Sequence, residues 1–149
     1  MREHPDHHDA ELLLRLYDLR REARLRQARD WFQREFQAAS WEEFFQRCPH
    51  GSEENTFFRM VVSYWEMTAS IVNHGLIQEG LFFENTGEFW AVWEKIKQLA
   101  PAVREEYKNP LMWKNLEALA GKYEQWMAKR APNALDALRR RVQEPARSR

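Results

Sequence analysis

The sequence predicts an all-α protein: a five- to six-helix bundle with a long N-terminal helix. Between the few glycines and prolines, apolar residues recur at steps of three and four, which is the period of an α-helix. No segment shows the alternation of β-branched and polar residues that is typical of a strand. The chain has 149 residues, of which 44% are hydrophobic, enough for one buried core. We therefore expect a single helical domain over residues 9–143, between a disordered segment at 1–8 and a disordered basic tail at 144–149.

We expect the first helix to run from Asp9 to about Ala39, because this stretch contains no glycine or proline. A helix of roughly thirty residues would be about 45 Å long, which is longer than a compact domain of this size, so one end should project. Its N-terminal half carries an apolar stripe with 4-3-4 spacing: Leu12, Leu16, Leu19 and Ala23. These residues would need to be buried against a partner.

The second and third helices each begin at a serine. Ser40 and Glu43 have the form of a capping box ahead of a short helix. Ser52 precedes a helix expected over residues 53–74, which ends at Gly75. This third helix is apolar nearly all round, so we expect the other helices to pack against it. Its polar residues form one narrow stripe with 4-3-4-3 spacing: Arg59, Ser63, Glu66, Ser70 and Asn73.

Glycine and proline also divide the C-terminal half of the chain. A short helical segment is expected over residues 76–83, and the next helix begins after Gly87. That helix should kink or restart at Pro101, because proline lacks the N–H that a continuing helix needs. An amphipathic helix follows Pro110, and a last short helix follows Pro132.

Composition and charge argue against several classes of protein. Basic and acidic residues number 23 each, so no net charge favours nucleic acid as a partner. A single cysteine, Cys48, excludes a disulfide framework and a zinc site built on several cysteines. The N-terminus has no apolar signal-peptide segment, and no leucine cluster is long enough to span a membrane. We therefore expect a cytoplasmic protein.

No motif in the sequence indicates catalysis or a bound cofactor. A glycine-rich phosphate loop, a Gly-x-Ser-x-Gly turn and a His-Glu-x-x-His helix are all absent from it. His4, His7 and His8 lie in the expected disordered segment, where they would bind a metal only adventitiously. Cys48 is followed closely by His50, but residues so near in sequence rarely adopt nucleophile–base geometry. We predict no catalytic, cofactor-binding or metal-binding residue, and a protein that is not an enzyme.

The leading hypothesis is a non-enzymatic interaction or assembly module that uses its long first helix. The stripe on that helix would bind a second copy, giving a homo-oligomer such as a dimer, or a protein partner. The alternative is a small-molecule binding domain with an aromatic pocket around the third helix, which would need a cavity of roughly 300 Å³ or more. The candidate pocket residues are Arg59, Trp65, Glu66, Trp90, Trp93 and Trp113.

The burial of Glu66 decides whether the polar stripe of the third helix faces the protein interior or solvent. It lies between Trp65 and Met67 on the helix that we expect to be central. If it is buried in an ion pair, it needs a basic partner from another helix, such as Arg104 or Lys97. If the stripe faces solvent, no such partner is required.

From Phe57 to about Met127, the order of features resembles a bacterial all-helical family known only as a domain of unknown function. The residues that carry the resemblance are Tyr64-Trp65-Glu66, the run from Ile71 to Ile77, Phe89-Trp90, Trp93, Pro101 and Tyr107. The resemblance implies an all-α fold over residues 57–127 and no particular activity. Members of that family often carry a membrane-spanning N-terminal helix, which we do not find in this sequence.

Overall fold

The computed structural model describes residues 3–144, and all regular structure within them is helical. The all-α class is confirmed, but the prediction of five to six helices is too low. The elements in chain order are α1 (His7–Arg20), α2 (Ala23–Arg34), α3 (Trp41–Arg47), α4 (Glu53–Asn73), α5 (Glu79–Asn85), α6 (Glu88–Ile96), a 3-10 turn (Lys97–Leu99), α7 (Ala100–Glu106), α8 (Lys114–Arg130) and α9 (Ala134–Gln143). The terminal segments predicted to be disordered fall partly on residues 1–2 and 145–149, which lie outside the described residues.

The predicted long N-terminal helix is wrong, because the chain turns between α1 and α2 at Arg21 and Glu22. The Glu22 carboxylate accepts hydrogen bonds from the backbone N–H groups of Arg24 (3.0 Å) and Leu25 (2.9 Å), which begins a new helix. The apolar pattern explains the turn. Leu16 and Leu25 are nine residues apart, so on one continuous helix they would point in directions about 180° apart. Two separate helices allow both leucines to be buried in one core.

The helix α4 lies at the centre of the bundle, as predicted, with α2 and α8 packed against it. Ser52 caps its N-terminus by accepting a hydrogen bond from the backbone of Asn55 at 3.1 Å. Its buried residues are Asn55, Phe57, Phe58, Val61, Val62, Tyr64, Trp65, Thr68, Ala69 and Val72. Neither α4 nor any other helix within residues 3–144 is both long and apolar enough to cross a membrane.

Two aromatic clusters fill the space around α4. The first joins α2, α3 and α4 and consists of Phe32, Phe36, Phe44 and Phe58. The second joins α5, α6 and α8 and consists of Phe83, Phe89, Tyr123 and Trp126. Edge-to-face and offset ring contacts of this kind add to the stabilisation from burial alone. The first cluster therefore packs α2, α3 and α4 together, and the second packs α5, α6 and α8 together.

Polar contacts hold α1 on the bundle near both of its ends. The Tyr64 hydroxyl of α4 donates to the Leu16 carbonyl and accepts from Arg20 Nη1 at 3.1 Å. At the other end the buried Asp9 carboxylate accepts from the backbone N–H of Gln78 at 2.6 Å, just before α5. Because these groups are buried, loss of one of these hydrogen bonds should lower stability.

We expect Tyr64→Phe to lower the free energy of unfolding by about 1–2 kcal/mol, because it removes two buried hydrogen bonds between α4 and α1, to the Leu16 carbonyl and from the Arg20 guanidinium. Urea denaturation measures this loss. The matched control is Tyr17→Phe, because the Tyr17 side chain is exposed and retains its ring beside Arg20. Equal stabilities for the two variants would contradict the anchoring role of Tyr64.

Candidate functional site

The main cleft of the described residues lies between α2, α6, α8 and α9 and has a volume of about 760 Å³. It is open to solvent along one side. The residues that line it are Phe32, Gln33, Arg34, Gly87, Glu88, Trp90, Ala91, Val92, Lys95, Tyr123, Leu138, Arg141 and Val142. Its residues come from distant parts of the chain, so the tertiary fold alone creates it.

The floor of the cleft is apolar. It is formed by four buried side chains: Phe32, Trp90, Val92 and Tyr123. Gly87 permits this arrangement, because a Cβ atom at that position would lie 2.7 Å from the Tyr123 hydroxyl oxygen. Burial also raises the pKa of Tyr123, so its hydroxyl loses its proton at a higher pH than that of an exposed tyrosine. The accessible apolar surface of the cleft comes from Ala91, Leu138 and Val142, above these buried rings.

Lys95 closes the end of α2 beside the cleft. Its ammonium group donates to the backbone carbonyls of Phe32 (2.8 Å), Gln33 (3.1 Å) and Phe36 (3.1 Å). These carbonyls lie at the C-terminus of α2, where helical hydrogen bonding ends and a positive charge is favourable. The buried lysine thus joins α6 to α2. The available sequence signal was the pair of charged residues, Glu94 and Lys95, within the otherwise apolar stretch that ends at Ile96, and the sequence-based prediction did not include it.

The rim of the cleft carries more positive than negative charge. Arg34 and Arg141 are exposed at the mouth, with Arg34 paired to Asp30 one helical turn away at 2.9 Å. The one carboxylate on the lining, Glu88, accepts from two of the three guanidinium nitrogens of Arg29, at 2.7 and 2.8 Å. This pairing raises the pKa of Arg29 and neutralises Glu88. An anion near the mouth would therefore meet Arg141 and Arg34, the latter beside its exposed ion pair with Asp30.

A second ionic cluster attaches α9 to the floor. Arg139 contacts the carboxylates of Glu94 on α6 (2.5 Å) and Glu124 on α8 (3.3 Å). The Glu94 side chain is only 3% exposed, and its other oxygen lies 2.6 Å from the Lys97 ammonium. Trp90 donates its indole N–H to Glu124 at 3.0 Å, and the Arg139 guanidinium lies 5.2 Å from the ring of Trp90. The hydrogen bond to Glu94 raises the pKa of Arg139.

The structure does not bring the predicted pocket residues together. Trp90 lines the cleft, whereas Trp65 and Trp93 are buried elsewhere in the core. Trp113 is half-buried with its ring 6.0 Å from Phe58. Arg59 is exposed and donates to Asn55, one turn earlier on α4. Of the six predicted pocket residues, only Trp90 belongs to the cleft.

Glu66 caps the N-terminus of α8. Its Oε1 atom accepts from the backbone N–H of Leu116 at 2.9 Å, and Oε2 accepts from the backbone and side chain of Asn115 at 3.3 and 2.9 Å. The preceding residue of that helix, Trp113, has a φ of +62° and offers no side-chain cap. Glu66 therefore pairs with the positive end of a helix and not with Arg104 or Lys97.

The predicted interaction stripe is also divided. Leu16 is buried in the core of its own chain and Leu12 is half-buried, whereas Leu19 and Ala23 are exposed. Leu14, which the stripe did not include, is the most exposed leucine of α1 at 63%. The four predicted residues thus do not form one accessible face.

The candidate reactive groups have ordinary structural settings. Within residues 3–144 no three His, Cys, Asp or Glu side chains are grouped as metal ligands. His7 and His8 belong to the first turn of α1, which Asp6 caps. Cys48 is buried, and its carbonyl accepts a hydrogen bond from Asn55 at 3.0 Å. Burial raises the pKa of the Cys48 thiol to about 11.

We expect Glu66→Ala to lower the free energy of unfolding by about 2 kcal/mol, because three donors at the start of α8 lose their acceptor. Chemical denaturation measures the change. Glu84→Ala, at an exposed position on α5, should change stability by less than about 0.5 kcal/mol. A Glu66→Ala variant as stable as this control would show that the cap is dispensable.

Cys48 should react slowly with a thiol reagent in the native protein between pH 7 and 9 and rapidly after denaturation. The reason is that the thiolate is the reactive form, and burial holds the native thiol protonated until about pH 11. Release of a coloured thiol product, recorded with and without denaturant, gives both rates. Equal rates in the two conditions would contradict the buried position.

One comparison with known proteins identifies a family. Residues 5–123 match a family described as a domain of unknown function, DUF4760. The match runs from just before α1 into α8, so it extends further toward the N-terminus than the predicted resemblance over residues 57–127, and α9 lies beyond it. No curated protein and no solved structure matches the chain. The predicted resemblance to a family of unknown function is confirmed, and the chain belongs to the DUF4760 family.

Proposed function

We propose that the chain is a non-enzymatic binding domain, and that the cleft between α2, α6, α8 and α9 holds a small organic anion with an apolar body. The observation that carries this proposal is the cleft itself: an apolar floor below a mouth with two arginines. The ligand class follows from that combination. A hydrocarbon or aromatic body would lie on the floor, and a carboxylate or similar group would face the rim.

The size of the cleft supports a small-molecule site. Its volume of about 760 Å³ exceeds the threshold of roughly 300 Å³ that the alternative hypothesis required. Clefts of this kind bind mainly through apolar contact, while a few polar groups orient the ligand. Here the apolar contact would come from Ala91, Leu138 and Val142, which line the cleft and are not buried.

The charge distribution supports an anion over a cation. Arg34 and Arg141 project at the mouth, and guanidinium groups bind carboxylates through paired hydrogen bonds. Glu88 would repel an anion if it were alone, but Arg29 already neutralises it. The Lys95 ammonium adds positive charge near the floor while three carbonyls hold it in place.

The cleft is better suited to binding than to catalysis. Its buried charged groups are held in structural contacts: Lys95 with the end of α2, and Glu88 with Arg29. The Tyr123 hydroxyl is protonated at neutral pH, and burial raises its pKa further. Among the described lining residues we find no nucleophile with an adjacent base, so a binding role accounts for the groups that are there.

Self-association through the first helix stays a prediction, but the residues that could make the contact differ from those predicted. Leu16 is engaged in the core of its own chain, so it cannot anchor a partner. Self-association is the second candidate function, and it is favoured by three exposed apolar residues of α1: Leu14, Tyr17 and Leu19. Light scattering of a Leu14→Asp variant beside the unaltered chain distinguishes it from the cleft, since α1 lines no part of the cleft.

A thermal-shift series with three ten-carbon probes tests the proposed function: decanoate, decanol and decylamine, all below their aggregation concentrations. Decanoate at ten times its Kd should raise Tm by about 4 °C, and decylamine should not raise it. Ala91→Trp, which fills the cleft, should abolish the shift, whereas Ala118→Trp, at an exposed position on α8, should retain it. No decanoate shift, or a shift that Ala91→Trp leaves unchanged, would overturn the proposal.

A further inference from the structure

We infer that the surface of α6 and α8 beneath α9 is a docking site for a basic amphipathic helix of a partner protein, and that α9 is its displaceable resident. The inference does not depend on whether the neighbouring cleft holds a small ligand. Four features of α9 support it: shallow packing, a separate connection to α8, an ionic anchor, and a position beyond the matched family domain.

The apolar packing of α9 is shallow. None of its residues is buried, whereas every other α-helix has at least one buried residue. Leu135 and Val142 are half-buried against the core, and Leu138 between them is 40% exposed. Since hydrophobic stabilisation follows the apolar area removed from water, α9 gains less from its contacts than the inner helices do.

The connection to α8 leaves α9 free to move as a unit. Three residues, Ala131 to Asn133, separate the two helices. Pro132 has no backbone N–H, so helical hydrogen bonding cannot run through the connection. Asn133 makes no side-chain cap for α9, and the backbone N–H of Ala134 donates to the Ala131 carbonyl at 3.0 Å, within the connection itself. Release of α9 therefore requires no change inside α8.

The anchor of α9 defines what the surface recognises. Glu94 on α6 and Glu124 on α8 both contact Arg139, and Trp90 lies beneath its guanidinium. Burying a carboxylate as deeply as that of Glu94 costs free energy unless cations are paired with it. Lys97 is one of its two cationic partners, and Arg139 is the other. The surface thus selects a helix with a central arginine, flanked by apolar residues at the spacing of Leu135, Leu138 and Val142.

The residues that match the family include most of this surface but not α9. Trp90, Glu94 and Lys97 lie within the matched residues 5–123, and Glu124 is next to their end. α9 lies wholly beyond them. The surface therefore lies mainly within the matched residues, which end inside α8, while its occupant lies outside them. A helix of similar chemistry on a partner would compete with α9 for the same contacts.

Fluorescence anisotropy with the full chain and a labelled peptide of residues 131–144 tests the inference. Arg139→Glu in the chain should release α9 without altering the surface, so the peptide should bind this variant at least tenfold more tightly than the unaltered chain. Arg140→Glu, a neighbouring exposed change on α9, is the matched control and should bind like the unaltered chain. A peptide that carries Glu in place of its own Arg139 should not bind. Leu135→Asp provides a second way to release α9 if Arg139→Glu impairs folding.

Hydrogen exchange and light scattering complete the test. The backbone amides of α9 should exchange faster in Arg139→Glu than in Arg140→Glu, while those of α4 stay protected. Peptide binding that is equal in all chains, or absent from both released variants, overturns the docking site. A dimer that forms by exchange of α9 between released chains would assign the surface to a second copy and overturn the partner assignment. The decanoate series uses the chain with α9 in place and the peptide assay uses chains with α9 released, so either proposal can fail alone.

Discussion

The architecture depends on charged side chains that close the ends of helices to which they do not belong. Glu66 of α4 accepts the first N–H groups of α8, and Lys95 of α6 donates to the last carbonyls of α2. Helix ends leave several backbone groups without intrahelical partners, and burial makes such groups costly unless they are bonded. Each charge therefore fixes both the position and the direction of a neighbouring helix.

The need to satisfy helix ends explains the polar stripe on α4. Its first part, Arg59 and Ser63, is exposed to solvent. Further along, Glu66 and Asn73 bond to the start of α8, where Asn73 donates to the Asn115 carbonyl at 3.0 Å. The stripe is therefore neither a buried ion pair nor a fully solvated face. It is the hydrogen-bonded contact that holds α8 in register with α4.

The cleft lies where these rigid contacts meet the shallowest helix. Lys95 and the Arg29–Glu88 pair hold α2 and α6 together on one side. On the other side α9 is attached mainly through Arg139 and partly buried apolar residues. One wall is thus fixed and the other is weakly held. Ligand binding and helix docking would both use this contrast, because a movable α9 changes the width of the cleft mouth.

Local sequence signals determined the helical class, the central position of α4, its start at Ser52 and its end before Gly75. Each depends on residues within one or two turns: apolar spacing, a capping hydroxyl, or a glycine with positive φ. Other features depended on tertiary contacts. The chain turns at Glu22 because two apolar stripes must face one core. Glu66 accepts hydrogen bonds from the first residues of α8, a helix about fifty residues later in the chain. The cleft joins side chains far apart in sequence, so only the packing of whole helices could decide its position.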